Sequence, residues 1–323
     1  MKSCLSYAVS AASASLVALA LGGTAHAADR VVRVVVPFGT GAVQDTIARA
    51  ISEELGRNLG ATVVVENRAG AGGTVGTAAV AKAAPDGNTL VLAAASHNIA
   101  GYMYKSLSYR PYEDFTGVGY LGNFGYIIMA STGLGAQNTA EFIQAVKAKP
   151  GGYDYASAGN GSASHLGMAS FLAAAGLEMQ HIPMKSTGDA VNELLAGRVQ
   201  GVTSATIGAM PYRNDPRIKL IAYTGAQRSR FVPDLPTVAE SGVPGYTFNS
   251  WIGLLAPAAL PADKRAELNA AVNKTLADPK VQERLATLGV ESAAKSADEF
   301  QQILAADWKA SEKLVKDSGA KVE

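Results

Sequence analysis

The sequence predicts an α/β protein built as two lobes, and three observations predict it. Short apolar runs with strand character alternate with segments of helical period. The connections between them are short and carry glycine, proline or aspartate. Near the C-terminus the alternation gives way to helices alone. The chain has 323 residues, 48% of them hydrophobic, which allows two lobes or one large domain to bury a core.

The first 27 residues read as an export signal. Lys2 supplies positive charge, Leu5 to Leu21 is apolar, and Ala25-His26-Ala27 ends in the small-x-small pattern that a signal peptidase accepts. A retained membrane helix is the rival reading. The run is short, however, is broken by serines, and ends in Gly22-Gly23-Thr24 without a stop-transfer charge. Cleavage after Ala27 is therefore expected, with the mature chain beginning at Ala28. Cys4, the single cysteine, precedes the apolar stretch, whereas a lipid-modified cysteine would follow it, so the mature chain must be stabilised by packing without disulfides. Of 28 basic and 27 acidic residues only Lys2 lies in the signal, which leaves a balance of 27 to 27. That balance argues against nucleic acid and against a polybasic membrane patch.

From Val31 the elements follow in order. Val31 to Val36 is an apolar run interrupted only by Arg33 and ended by Pro37, which suits a strand buried on both faces of a parallel sheet. After the loop Phe38 to Ala42, apolar residues from Val43 to Leu59 recur at three and four residue spacings, giving a helix of about four turns. Thr62 to Val65 is the next strand, and the order calls for a βαβ unit. A helix near Gly73 to Ala83, a turn at Pro85-Asp86-Gly87 and a strand at Thr89 to Ala93 continue the alternation. Helices are expected at 139–149, 162–175 and 189–196, and strands at 153–157, 181–183, 199–204 and 218–223. Residues 261–277 and 296–316 are helical, the latter opened by a capping box of Ser296 and Glu299. The C-terminal helices are expected to close the first lobe. The chain then leaves lobe 1 near Ile127 and returns near Phe248, so that lobe 1 comprises residues 28–127 and 248–323 and lobe 2 residues 128–247. Two crossover strands lie beneath the cleft between them.

Two glycine loops sit between a strand and a helix: Phe38-Gly39-Thr40-Gly41-Ala42, and Ser157-Ala158-Gly159-Asn160-Gly161-Ser162. A helix start exposes unpaired N–H groups and the positive end of the dipole, and glycine lets an anion approach the backbone. Facing each other across a cleft, the two loops can grip one carboxylate. Alternatives stand beside this reading. Asp45 either contacts ligand or interacts with its own helix start. Ser162 and Ser164 either touch ligand or cap the helix. His165 either donates to the anion or packs. For the far end of a ligand the candidates are Ser96, Asn98, Thr203, Ser204 and 248–250, each of which can also be a cap or packing residue.

A third segment, Asn67 to Gly76, resembles a nucleotide loop only superficially. Counted from Gly70, the dinucleotide pattern needs glycine where Val75 stands, and no Lys-Ser or Lys-Thr pair completes a phosphate loop. It reads as the connection into a tightly packed helix, with Arg68 tying the loop. There is no Gly-x-Ser-x-Gly elbow and no His-Glu-x-x-His helix, and His97, His165 and His181 show no metal-ligand spacing. No enzyme, cofactor or metal is expected.

Val36-Pro37-Phe38 through Asp45 and Arg49, Val65-Glu66-Asn67-Arg68-Ala69-Gly70-Ala71-Gly72-Gly73, His181-Ile182-Pro183 with Lys185, Pro233-Asp234-Leu235-Pro236-Thr237 and Trp251-Ile252-Gly253-Leu254 occur in order. In these the chain resembles the Bug family, the extracytoplasmic solute receptors of tripartite tricarboxylate transporters. The resemblance implies a two-lobed periplasmic binding protein fold of the Venus-flytrap type (type II). It further implies a periplasmic monomer that captures a small carboxylate (a di- or tricarboxylate or an aromatic acid) and delivers it to membrane permease subunits. A sensor subunit for a membrane kinase and a periplasmic enzyme are the alternatives. By resemblance and position the ligand contacts are Phe38, Gly39, Thr40, Gly41, Ala42, Ser157, Gly159, Asn160, Gly161, Ser162, His165, Thr203 and Ser204. Three departures bear on the ligand: Ala42 replaces a glycine, Pro183-Met184-Lys185-Ser186 replaces Pro-Tyr-Lys-Gly, and Gly201 stands where an aspartate is usual. If Gly201 lines the cleft, an amino-acid ligand is disfavoured.

Overall fold

The computed structural model of the protein describes residues 30–318, and the export signal expected at residues 1–27 lies outside them. Among the described residues no helix is long and apolar enough to cross a membrane. The expected βαβ unit forms from β1 (Val31–Val36), α1 (Val43–Leu59) and β2 (Thr62–Asn67), with the two strands parallel and Val31 opposite Thr62. After α2 (Thr74–Ala81), β3 (Thr89–Ala94) pairs parallel on the other side of β1. One expectation is corrected here. β1 is buried on both faces only in its second half, because Val31 and Arg33, on one face of its first half, are exposed.

The two strands beneath the expected cleft are β4 (Phe115–Ser131) and β9 (Asn249–Pro257). Over Phe115 to Gly125, β4 pairs antiparallel with β9, which also pairs with β3. From Ile127 to Ala130 it runs between β7 (Gly201–Ala205) and β8 (Ile218–Tyr223). β7 continues through parallel pairs to β5 (Asp154–Ser157) and β6 (Gln180–Pro183). The nine described strands thus run β2-β1-β3-β9-β4-β7-β5-β6, with β8 also on β4. Where the chain crosses, the buried Thr224 hydroxyl accepts from Tyr126 N at 2.8 Å and lies 2.8 Å from the Phe248 carbonyl oxygen, joining both crossover segments.

Helices cover both halves: α3 (Ser96–Met103), α4 (Thr139–Ala148), α5 (Ala163–Ala175), α6 (Thr187–Leu195), α7 (Thr206–Ala209), α8 (Ala262–Ala277), α9 (Pro279–Thr287) and α10 (Ala297–Ser318). The predicted capping box is present: Glu299 N donates to Ser296 Oγ, and Ser296 N donates to Glu299 Oε2 at 2.8 Å. The C-terminal helices, expected to close the first lobe, pack on β4, and α10 also packs on α5 and so reaches beyond the first half. The main apolar core runs through both halves of the sheet. A smaller cluster, including Ile127, Val191, Leu194 and Val202, lies under α6.

Neither α3 nor the full length of β4 is foreseen from the pattern. Gly117, Gly119, Gly122 and Gly125 interrupt β4 and lower its local strand preference. In the structure they let neighbours approach. A Cβ on Gly119 would lie 2.6 Å from Val272 Cγ2 on α8, and one on Gly253 of β9 would lie 2.4 Å from Phe300 Cζ on α10. Gly253→Ala is accordingly expected to destabilise the fold by about 1–3 kcal/mol through overpacking. A urea midpoint no lower than that of the parent would contradict this packing account.

Candidate functional site

A cavity of about 400 Å³ opens where the starts of three helices meet. It is lined by Phe38 to Gln44 at α1, by Ser162, Ala163 and Ser164 at α5, and by Lys185 to Gly188 at α6. Ser96, Tyr126, Val191, Ser204, Ala205 and Tyr212 complete much of the wall. Lys185 is the one charged side chain in this lining, and no carboxylate contacts it among the described residues. The sequence reading gave Pro183-Met184-Lys185-Ser186 as bearing on the ligand but did not pick out α6 as a third helix start, because no glycine precedes that helix and its start was expected at Asp189, two residues after the observed Thr187.

At α1, Gly41 N donates to Asp45 Oδ2 at 2.9 Å and Ala42 N to the Gly39 carbonyl oxygen at 3.1 Å. Asp45 also accepts from Arg49 Nε and Asn67 Nδ2, each at 2.9 Å. Burial pushes the Asp45 carboxyl up, but the hydrogen bonds from Arg49, Gly41 and Asn67, with the Arg49 charge, outweigh it and hold it below its ordinary value. Of the two readings of Asp45, the structure shows the internal one: it is buried and absent from the cavity wall. Asn67 also donates to the Phe38 carbonyl oxygen, and so does the tying expected of Arg68, which pairs with Glu66 instead. Ala42 is the N-cap with φ −63° and ψ 158°, an extended conformation open to any L residue, so its methyl group imposes no backbone strain. The position that needs glycine is Gly41, at φ +83°. The first intrahelical bond is Thr46 N to the Ala42 carbonyl oxygen, which leaves the N–H groups of Val43 and Gln44, both in the cavity wall, without an intrahelical partner.

The second loop is more fully committed. Ala158 N donates to Ser164 Oγ (2.9 Å), Gly159 N to Ser157 Oγ (3.1 Å), Gly161 N to His165 Nδ1 (3.1 Å) and Ser162 N to the Gly159 carbonyl oxygen (3.1 Å). Ser162 caps α5 by accepting from His165 N at 3.2 Å. The donors expected at Gly159 and Gly161 are therefore spent within the loop. Those left at this helix start belong to Ala163 and Ser164, and both residues line the cavity.

Ser157, Gly159, Asn160, Gly161, His165 and Thr203 lie behind the wall, not in it; Phe38, Gly39, Thr40, Gly41, Ala42, Ser162 and Ser204 line it, as does the far-end candidate Ser96. Thr203 and Ser204 could not both face the cavity, because neighbours on a strand point to opposite faces. Thr203 turns to α5, where a Cβ on Gly167 would lie 3.0 Å from its methyl group. Asn98 donates to Leu304 O and Asp307, away from the cavity. Gly201 packs against Met168 and Met179, so its lack of an acid carries no information about the ligand. Ser157 Oγ and His181 Nε2 are 2.6 Å apart, with Ser157 wholly buried behind the cavity wall.

The third glycine segment abuts the second loop. Tyr104 Oη donates to the Asn160 carbonyl oxygen at 3.3 Å beside Gly72, where φ is +63° and a Cβ would lie 2.6 Å from Tyr104 Oη and 2.9 Å from Asn160 O. Gly72→Ala is expected to displace that contact and lower the melting temperature by several degrees; an unchanged melting curve would count against it. A second prediction concerns pH. Burial drives His97 down to about 4, and burial with repulsion from His181 drives His165 down to about 3. Their folded values lie below the unfolded value of 6.5, so the unfolded chain takes up more protons as pH falls. Stability is fully present above about pH 6.5 and is lost as pH falls from there toward 4. The urea midpoint at pH 5 is expected to be lower than at pH 7.5, and equal midpoints would refute the neutral-histidine assignment.

Residues 47–320 match the family described as the tripartite tricarboxylate transporter family receptor. Protein BugT of Bordetella pertussis is 30% identical over 296 residues, 91% of either chain. The solved structure of the periplasmic binding protein BugD is 35% identical with a TM-score of 0.83, over 90% of this chain and 98% of that one. Rhodopseudomonas palustris MatC, solved with bound malate, is 32% identical with a TM-score of 0.82 over 88% and 99%. R. palustris Rpa4515, solved with adipate, is 29% identical with a TM-score of 0.85 over 91% and 99%. With its mixed sheet and crossover pair matching these binding proteins, the chain belongs to the tripartite tricarboxylate transporter receptor family of solute-binding proteins.

Proposed function

We propose that this protein is a periplasmic receptor that captures a small di- or tricarboxylate in the cavity described above and delivers it to a membrane permease. The observation that carries the reading is electrostatic: three helix starts and the Lys185 ammonium line one cavity whose wall contains no carboxylate. A dianion suits this arrangement. One carboxylate meets the N–H groups at the starts of α1 and α5, and the other meets Lys185 and the start of α6, where Ser186 already caps Asp189 N and leaves the first N–H groups of the helix free. The Ser96 hydroxyl, on a residue 7% exposed at the cavity wall, adds a donor. Relatives solved with malate and adipate support the same ligand class.

Among the described residues, 30–127 and 248–318 make up one lobe of this reading and 128–247 the other, hinged where Thr224 ties Tyr126 to Phe248. Ligand contacts from both lobes favour closure, because only a difference in affinity between the open and closed forms shifts the population. Release returns the ligand chemically unchanged.

The test is a thermal-shift and calorimetry panel of succinate, malate, adipate and citrate, with aspartate and a monocarboxylate for contrast, on protein unfolded and refolded to strip carried-over ligand. A true ligand at 100 times its Kd adds roughly 2.7 kcal/mol of stability. Lys185→Glu is expected to weaken dicarboxylate binding by roughly tenfold or more while leaving a monocarboxylate nearly unaffected. No response to any organic acid would overturn the reading, and equal losses for mono- and dicarboxylates would overturn the role of Lys185.

A further inference from the structure

The two glycines of the second loop are held by side chains that do not line the cavity, whereas Ala158 N donates to Ser164, which does. Both glycines have positive φ, +104° at Gly159 and +75° at Gly161, so local preference alone does not select this conformation over others open to glycine. The selection comes from behind. His165 Nδ1 accepts Gly161 N–H at 3.1 Å, and Ser157 Oγ accepts Gly159 N–H at 3.1 Å while lying 2.6 Å from His181 Nε2. The two imidazoles stack with centroids 3.8 Å apart and planes 7° apart, and the Tyr155 ring lies nearly parallel to both. His165 is buried, with 4% exposed. Because Gly161 donates into Nδ1, that nitrogen carries no proton, and the ring proton sits on Nε2.

We infer that His165 and His181 act as one positioning unit for the receptor site: they fix Gly161 and Ser157, and through them the start of α5, without touching the ligand. This rests on the carboxylate reading above for what the loop binds. Its account of how the loop is held is independent of that reading. A ring that only filled space could be replaced by any side chain of similar size. A ring that contacted the ligand could not be replaced by one that merely accepts from Gly161.

The discriminating pair is His165→Asn and His165→Leu. The asparagine amide oxygen stands where Nδ1 stands and can accept Gly161 N–H, whereas leucine fills the space and cannot. Amide hydrogen exchange on ligand-free protein is the first measurement. Exchange at Gly161 is expected to stay within about threefold of the parent in His165→Asn and to rise by roughly tenfold or more in His165→Leu. Calorimetry with malate and adipate is the second, with affinity roughly tenfold weaker in the leucine variant and largely retained in the asparagine variant. Equal exchange in the two variants, or equal loss of affinity in both, would overturn the positioning role. If neither acid binds the parent protein, the carboxylate reading loses support, while the exchange measurement still decides whether His165 holds the loop.

Discussion

One strand, β4, is hydrogen-bonded into both halves of the sheet, and the rest of the architecture follows from that sharing. Its first part pairs with β9, and its last residues lie between β7 and β8. A strand used twice must change neighbours midway, and at the change its backbone groups need partners. Thr224 supplies them for Tyr126 and lies within hydrogen-bonding distance of the Phe248 carbonyl oxygen, tying the outgoing and returning segments at one buried hydroxyl. The cavity lies above this crossing, with Tyr126 in its wall.

The donors that face the cavity are those left over after the loops have satisfied themselves. Glycine loops are often credited with presenting all their N–H groups to an anion. Here Gly41, Ala42, Ala158, Gly159, Gly161 and Ser162 all donate internally. Those donors are spent within the loops, and the helix starts just beyond them retain the free ones. Burial reinforces the arrangement. Asp45 stays ionised under three hydrogen bonds, and His165 stays neutral by desolvation, so neither exchanges charge with the cavity.

Much of the fold was legible because its strands and helices carry clean periods. β1, α1, β2, α5 and the capping box at Ser296 are local patterns that tertiary contacts only confirm. α3 and most of β4 were not legible. The β4 glycines lower local strand preference, and their reason lies on other elements, in Val272 and Phe300. At the cavity the order strand, glycine loop, helix picked out the starts of α1 and α5, and Ser162 and Ser204 lie in its wall. The roles of Gly159, Gly161, His165 and Thr203 were not legible, since a donor's partner and the face of a strand depend on contacts several residues or a whole sheet away.

By itself the sequence determined the alternation of strands and helices, the places where helix starts follow glycine, and an ordered set of motifs sufficient to indicate the family. Those are consequences of period, backbone freedom and spacing, which are local properties of a chain. Only the tertiary structure decided that a third helix start and Lys185 join the first two around one cavity, and that the glycine-loop donors are already occupied. The reason is physical: which N–H groups remain free, and which charges face one another, is settled only when every other polar group in the packed molecule has found its partner.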